Sequence, residues 1–159
     1  MPTEFPANAD DALRQHLRAL LTEPQAHITL DDVLAGFPLE RLNERVHGLP
    51  YSAFELLWHL RFAQRDILNF IRDDAYTHLN WPDDYWPHRD GSAQDWQGEI
   101  QAFRQDLAAL LELLRSPDID LFAVVPNGQD QTWLREFLLV ADHNAYHVGQ
   151  LALLKRLLA

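Results

Sequence analysis

His143 and His147 stand four residues apart, a spacing that on an α-helix turns the second side chain about 40° from the first and moves it about 6 Å along the axis. Both imidazoles can then face one ion. Such pairs also arise by chance, as surface residues or as hydrogen-bonded core residues, so chemistry here needs a third donor. His59 is the candidate. Leu56, Leu60, Ala63, Ile67 and Phe70 mark a core-facing helix stripe, and His59 lies within it, one turn from Leu56. Val140, Leu151 and Leu154 place His143 and His147 on a stripe of the same kind. Polar rings buried on such faces are costly unless a partner satisfies them. Three inward imidazoles from two helices meet the needs of a zinc or nickel site that keeps one position open. A metal held there lowers the pKa of a bound water or thiol and prepares a nucleophile near neutral pH. Two other readings stay open: a closed site that uses the metal structurally or as a ligand anchor, and a metal-free bundle whose three rings hydrogen-bond to one another.

Glu136 and Gln150 share the stripe of the helix pair, two turns before and one turn after it, and are candidates to orient the ligand rings. For Glu136 the competing expectation is a solvated carboxylate favoured by the macrodipole near the helix start. His16, His27, His47, His78 and His88 show no convergent spacing and are expected at the surface, with His88 an outside candidate from its loop. Gln64 and Asp66 are expected to be solvated. No direct role is assigned to Asp142, Asn144 or Tyr146.

Four segments with helical periodicity must position these residues. The first runs from about Asp10 to Leu21 and stops before Pro24. The second begins at Ser52, which pairs with Glu55 as a capping box while Tyr51 and Leu56 form a hydrophobic staple, and runs to about Asp73. Ser92 and Asp95 open the third, which carries Phe103, Leu107, Leu110 and Leu114 to Pro117. After the Pro126-Asn127-Gly128 turn, the fourth and longest reaches the C-terminus. The connections 22–51, 74–91 and 117–129 are longer than antiparallel neighbours need, which points to crossovers or to walls around a site. A short helical turn is expected around Leu39 to Val46. In the second connection Trp81, Tyr85 and Trp86 sit among prolines and acids, as a lid on the bundle end or as a wall facing substrate.

A chain of 159 residues, 47% hydrophobic and 23% charged, is sized for one domain, 1–159, with its own core. Its formal charge of -11, with no basic cluster to offset it, would repel a phosphate backbone, so nucleic acid is not expected as a partner. No apolar run approaches the roughly 20 residues of a membrane span and Met1 to Asp10 lack a secretory pattern, so the expected location is the cytoplasm without membrane attachment. With no cysteine in the chain, any metal must rest on His, Asp or Glu, and any thiol must arrive with a substrate.

The stretches Tyr51-Ser52-Ala53-Phe54-Glu55-Leu56-Leu57-Trp58-His59-Leu60 and Asp142-His143-Asn144-Ala145-Tyr146-His147-Val148-Gly149-Gln150 resemble the DinB/YfiT-like metalloenzyme family, and the resemblance spans nearly the whole chain. It implies an all-α four-helix bundle in up-down-down-up order, with a divalent ion, zinc or nickel, on one histidine of the second helix and two of the fourth. His59, His143 and His147 match those positions. Relatives include thiol-dependent transferases and isomerases, so the resemblance implies a thiol S-transferase or a hydrolase acting on a small molecule, with a low-molecular-weight thiol as co-substrate. The alternative is a non-catalytic metal-binding stress-response protein. Together with the acidic, aromatic-rich composition, the resemblance also implies a homodimer.

Overall fold

Helices begin in this chain where a short polar side chain can take up the amides that the first turn leaves free. The computed structural model describes residues 8–73 and 75–159. Asn8 caps α1 (Ala9–Thr22) by accepting the Asp11 N–H at 2.9 Å. Ser52 and Glu55 form the reciprocal box at the head of α3 (Ala53–Arg72), with the Ser52 N–H donating to Glu55 at 2.7 Å. Ser92 and Asp95 do the same for α4 (Ala93–Arg115), and Thr132 caps α5 (Trp133–Leu158). These four agree with the periodic segments in place and kind, and each end moves by only a few residues.

The first connection holds more structure than its sequence suggests. A five-residue helix, α2 (Leu30–Leu34), carries its own capping box between Thr29 and Asp32; five residues are too few for periodicity to show. Around Leu39 to Val46 the single expected turn is two 3-10 turns, Leu39–Arg41 and Val46–Gly48. His47 and Gly48 adopt φ of 51° and 75°, left-handed values that stop a helix from continuing. A third such turn, Asp83–Tyr85, lies in the second connection. Among the described residues the regular structure is all-helical, with one isolated bridge between Val124 and Thr132, and no helix is long and apolar enough to cross a membrane.

α3 packs against α4 and α5, and α1 packs against the same two helices. Two apolar clusters result. One gathers Leu17, Leu68, Ile71, Leu110, Leu114, Phe137 and Val140. The other joins Phe54, Leu56, Leu60, Trp96 and Leu151 to Val33, Phe37 and Leu42 of the first connection. Arg14 ties α1 to the end of α4 by donating to the carbonyls of Leu114, Ser116 and Ile119. Asn127 donates to the Phe70 and Asp73 carbonyls, both at 2.7 Å, which fastens the third connection to the end of α3.

Candidate metal centre

The stripes of α3 and α5 bring His59, His143 and His147 together: each offers one ring nitrogen, and the three nitrogens lie within 4.8 Å of one another. His59 and His147 are buried, at 2% and 7% exposure, and His143 is half-buried. No fourth His, Cys, Asp or Glu joins the group among the described residues.

Two of the rings are held from behind. The His59 Nδ1–H donates to the Tyr85 carbonyl at 2.8 Å, so the lone pair of the neutral ring resides on Nε2. The His147 Nδ1–H donates to Gln150 Oε1 at 2.6 Å, which leaves its Nε2 free in the same way. Gln150 in turn donates to the Tyr51 hydroxyl at 3.0 Å. Tyr51 stacks on Trp86 with ring centres 5.8 Å apart, and Trp86 stacks on His59 at 4.1 Å with the planes 4° from parallel. A chain of contacts therefore links the two ligands through α5, the end of the first connection and the second connection.

His143 lacks such support. Its Nε2 lies 3.2 Å from the His59 Nε2, and its Nδ1 is buried without a partner. In the metal-free state its Nε2–H can donate to the His59 lone pair, which leaves Nδ1 an unpaired buried acceptor. With a cation present, both Nε2 lone pairs can serve it. The 3.2 Å separation is close to the ~3.3 Å between two nitrogens bound tetrahedrally at about 2.0 to 2.1 Å from zinc. Electrostatics favour the same use. Burial, reinforced by the neighbouring imidazoles, pushes His143 down to about 3. Burial takes His147 down to about 4 against the opposing Gln150 hydrogen bond, and it lowers His59 against the Tyr85 carbonyl. All three rings are therefore neutral near pH 7, the protonation state a metal takes. The donor set fits a divalent ion.

Around this centre the expectations divide. Glu136 is buried, at 2% exposure; its carboxylate pairs with Arg135 at 2.6 Å, and no hydrogen bond joins it to the three rings. His16, His27, His47, His78 and His88 are exposed, and none belongs to the group. Gln64 is a correction: it is fully buried, not solvated, donates to the Phe103 carbonyl and accepts from Asn144 Nδ2. Asp66 is also not solvated, since it is half-buried and accepts from the hydroxyls of Tyr76 and Tyr85. Spacing carried the signal for Gln64, which lies midway between the core residues Leu60 and Leu68. Asn144 has the same relation to Val140 and Val148. The Tyr85 carbonyl had no signal, because a backbone oxygen looks alike at every residue.

These features define a helical protein with a three-histidine centre able to take a divalent metal ion. The model of the DinB superfamily matches residues 24–151, and the chain belongs to that superfamily. No curated protein and no solved structure matches it.

Proposed function

We propose that His59, His143 and His147 hold one divalent metal ion, zinc or nickel, and that the protein is a metal-dependent enzyme transferring a thiol to a small electrophile or hydrolysing one. The carrying observation is the convergence of three neutral imidazoles within 4.8 Å, two of them fixed through Nδ1. Membership of the DinB superfamily supports the same reading. When bound, the ion would supply a Lewis acid that favours the thiolate or hydroxide form of a ligand. The chain's own contribution is positional. Tyr85 and Gln150 hold two rings in the tautomer that offers Nε2, and Trp86 shields one face of His59. Lacking cysteine, the chain leaves the thiol to a low-molecular-weight co-substrate.

The absence of a fourth donor among the described residues favours catalysis over the alternative of a non-catalytic metal-binding stress-response protein. The wider reading is a single four-helix domain in up-down-down-up order, working in the cytoplasm as a homodimer. The test is elemental analysis of protein purified without a histidine tag and incubated with zinc or nickel, followed by a screen of thiols paired with electrophiles. About one equivalent of metal and a turnover that disappears in His59→Ala are expected. Less than about a tenth of an equivalent would overturn the metal site. Full loading with no turnover across the panel would favour the non-catalytic alternative.

A further inference from the structure

We infer that Asp66 is a positioning residue for His59, acting through Tyr85 and never by contact. The inference rests on the reading of His59 as a metal ligand. Asp66 follows His59 by seven residues on α3, about 10 Å along the axis. Its Oδ2 accepts the Tyr85 hydroxyl at 2.5 Å and its Oδ1 accepts the Tyr76 hydroxyl at 2.9 Å. The backbone carbonyl of the same Tyr85 accepts the His59 Nδ1–H. One residue is thus pinned at both ends, its phenol to one turn of α3 and its peptide oxygen to another.

The linkage is stiff. The Tyr85 ring stands edge-on between Phe62, at 5.5 Å, and Trp81, at 5.1 Å. Burial, and then the Asp66 carboxylate, push the Tyr76 and Tyr85 phenols up, which keeps both as donors. Leu79, Asp83 and Asp84 around it are exposed, so the phenol is one of the few ties that hold this part of the segment to α3. With the phenol released, the carbonyl can move and His59 can rotate or change tautomer. Outer partners of this kind typically change metal affinity by about 10 to 100-fold.

The test uses the full chain with two readouts. One is cobalt(II) affinity by competition with a chromophoric chelator, together with the visible spectrum of the bound cobalt. The other is the solvent-exchange rate of the His59 Nδ1–H, followed by NMR on metal-free protein. Tyr85→Phe, which keeps the ring, and Asp66→Ala should each weaken cobalt binding about tenfold and speed the exchange. The double variant should be no worse than Asp66→Ala alone, since both break one chain of contacts. Val125→Ala, in the other apolar cluster, should lower Tm while leaving both readouts at wild-type values. Overturning the inference would take Tyr85→Phe and Asp66→Ala variants that behave like Val125→Ala, with Tm lowered and both readouts unmoved. If the wild type takes up no cobalt, the metal reading fails, and the exchange rate alone still decides whether Asp66 positions His59.

Discussion

His59 and His147 are each held through Nδ1, yet the two supports are of different kinds. His147 leans on Gln150, one turn away on the same helix, so its support comes with the formation of α5. His59 leans on a carbonyl 26 residues downstream, in a connection whose regular structure among the described residues is a single three-residue turn. One side of the centre is thus built by local hydrogen bonding and the other by tertiary placement. The helical side should therefore tolerate small backbone changes, whereas the loop side should amplify them.

The largest expected effect comes from removing a ring of the helical side. His147→Ala deletes a donor that Gln150 cannot replace, because an amide oxygen displaced by a turn does not reach the position of Nε2. After zinc loading, metal content should drop from about one equivalent to below about a tenth, while His16→Ala, at an exposed position, keeps its metal. Equal retention in the two variants would remove His147 from the site.

Next in size is a change at the hinge of the loop side. Gly91 is buried where the second connection enters α4, and Asn43 holds it at both its N–H and its carbonyl, each at 2.9 Å. A Cβ added there would lie 2.2 Å from the ring of Phe54, which is fully buried and has no room to turn aside. Gly91→Ala must therefore move the connection itself. We expect a loss of about 1–3 kcal/mol in urea unfolding, as for other overpacked sites, together with weaker metal binding, because the carbonyl behind His59 moves too. Unchanged stability would show that this side is softer than its packing implies.

Titration of the metal-free protein gives a smaller and more gradual effect. Burial holds His143 and His147 at about 3 and about 4 in the folded state, below the ordinary 6.5. Below pH 6.5 the unfolded chain binds protons that the folded chain refuses, so stability is full above that pH and falls as pH drops toward the folded values. Unfolding midpoints between about pH 6.5 and 5, where most carboxylates stay ionised, should decline in the wild type and decline less in His143→Leu. A flat wild-type profile would mean that the rings are not buried as neutral groups.

The same contrast governs what was legible in the sequence. Ser52 with Glu55, Ser92 with Asp95, and the apolar stripes specify α3, α4 and α5, because caps and periodicity act within a turn or two. The stripes also select three histidines out of eight. Local signals fail where the partner is distant. Trp81, Tyr85 and Trp86 stand out as an aromatic cluster, but nothing local to them announces that Trp86 covers His59 or that Tyr85 spans from Asp66 to the imidazole. Gln64 is legible by the same local rule, since its spacing from Leu60 and Leu68 places it inside and a buried amide then requires partners on both its oxygen and its nitrogen.

The smallest expected effect lies on α5, two residues beyond His147. Gly149 is exposed within the helix, and an added Cβ meets nothing within 4 Å. Its φ is not in the left-handed region, so no backbone conformation reserves the position for glycine. Alanine there restricts the unfolded chain and restores helix propensity, which should add about 0.5–1 kcal/mol. Because His147 takes its support from Gln150 along the same helix, stiffening the segment should leave zinc affinity at the wild-type level. Gly91→Ala and Gly149→Ala are thus one substitution with opposite expected signs on the two sides of one centre. If Gly149→Ala also weakens zinc binding, the helical side is as sensitive to its backbone as the loop side, and the local character assigned to the His147 support is wrong.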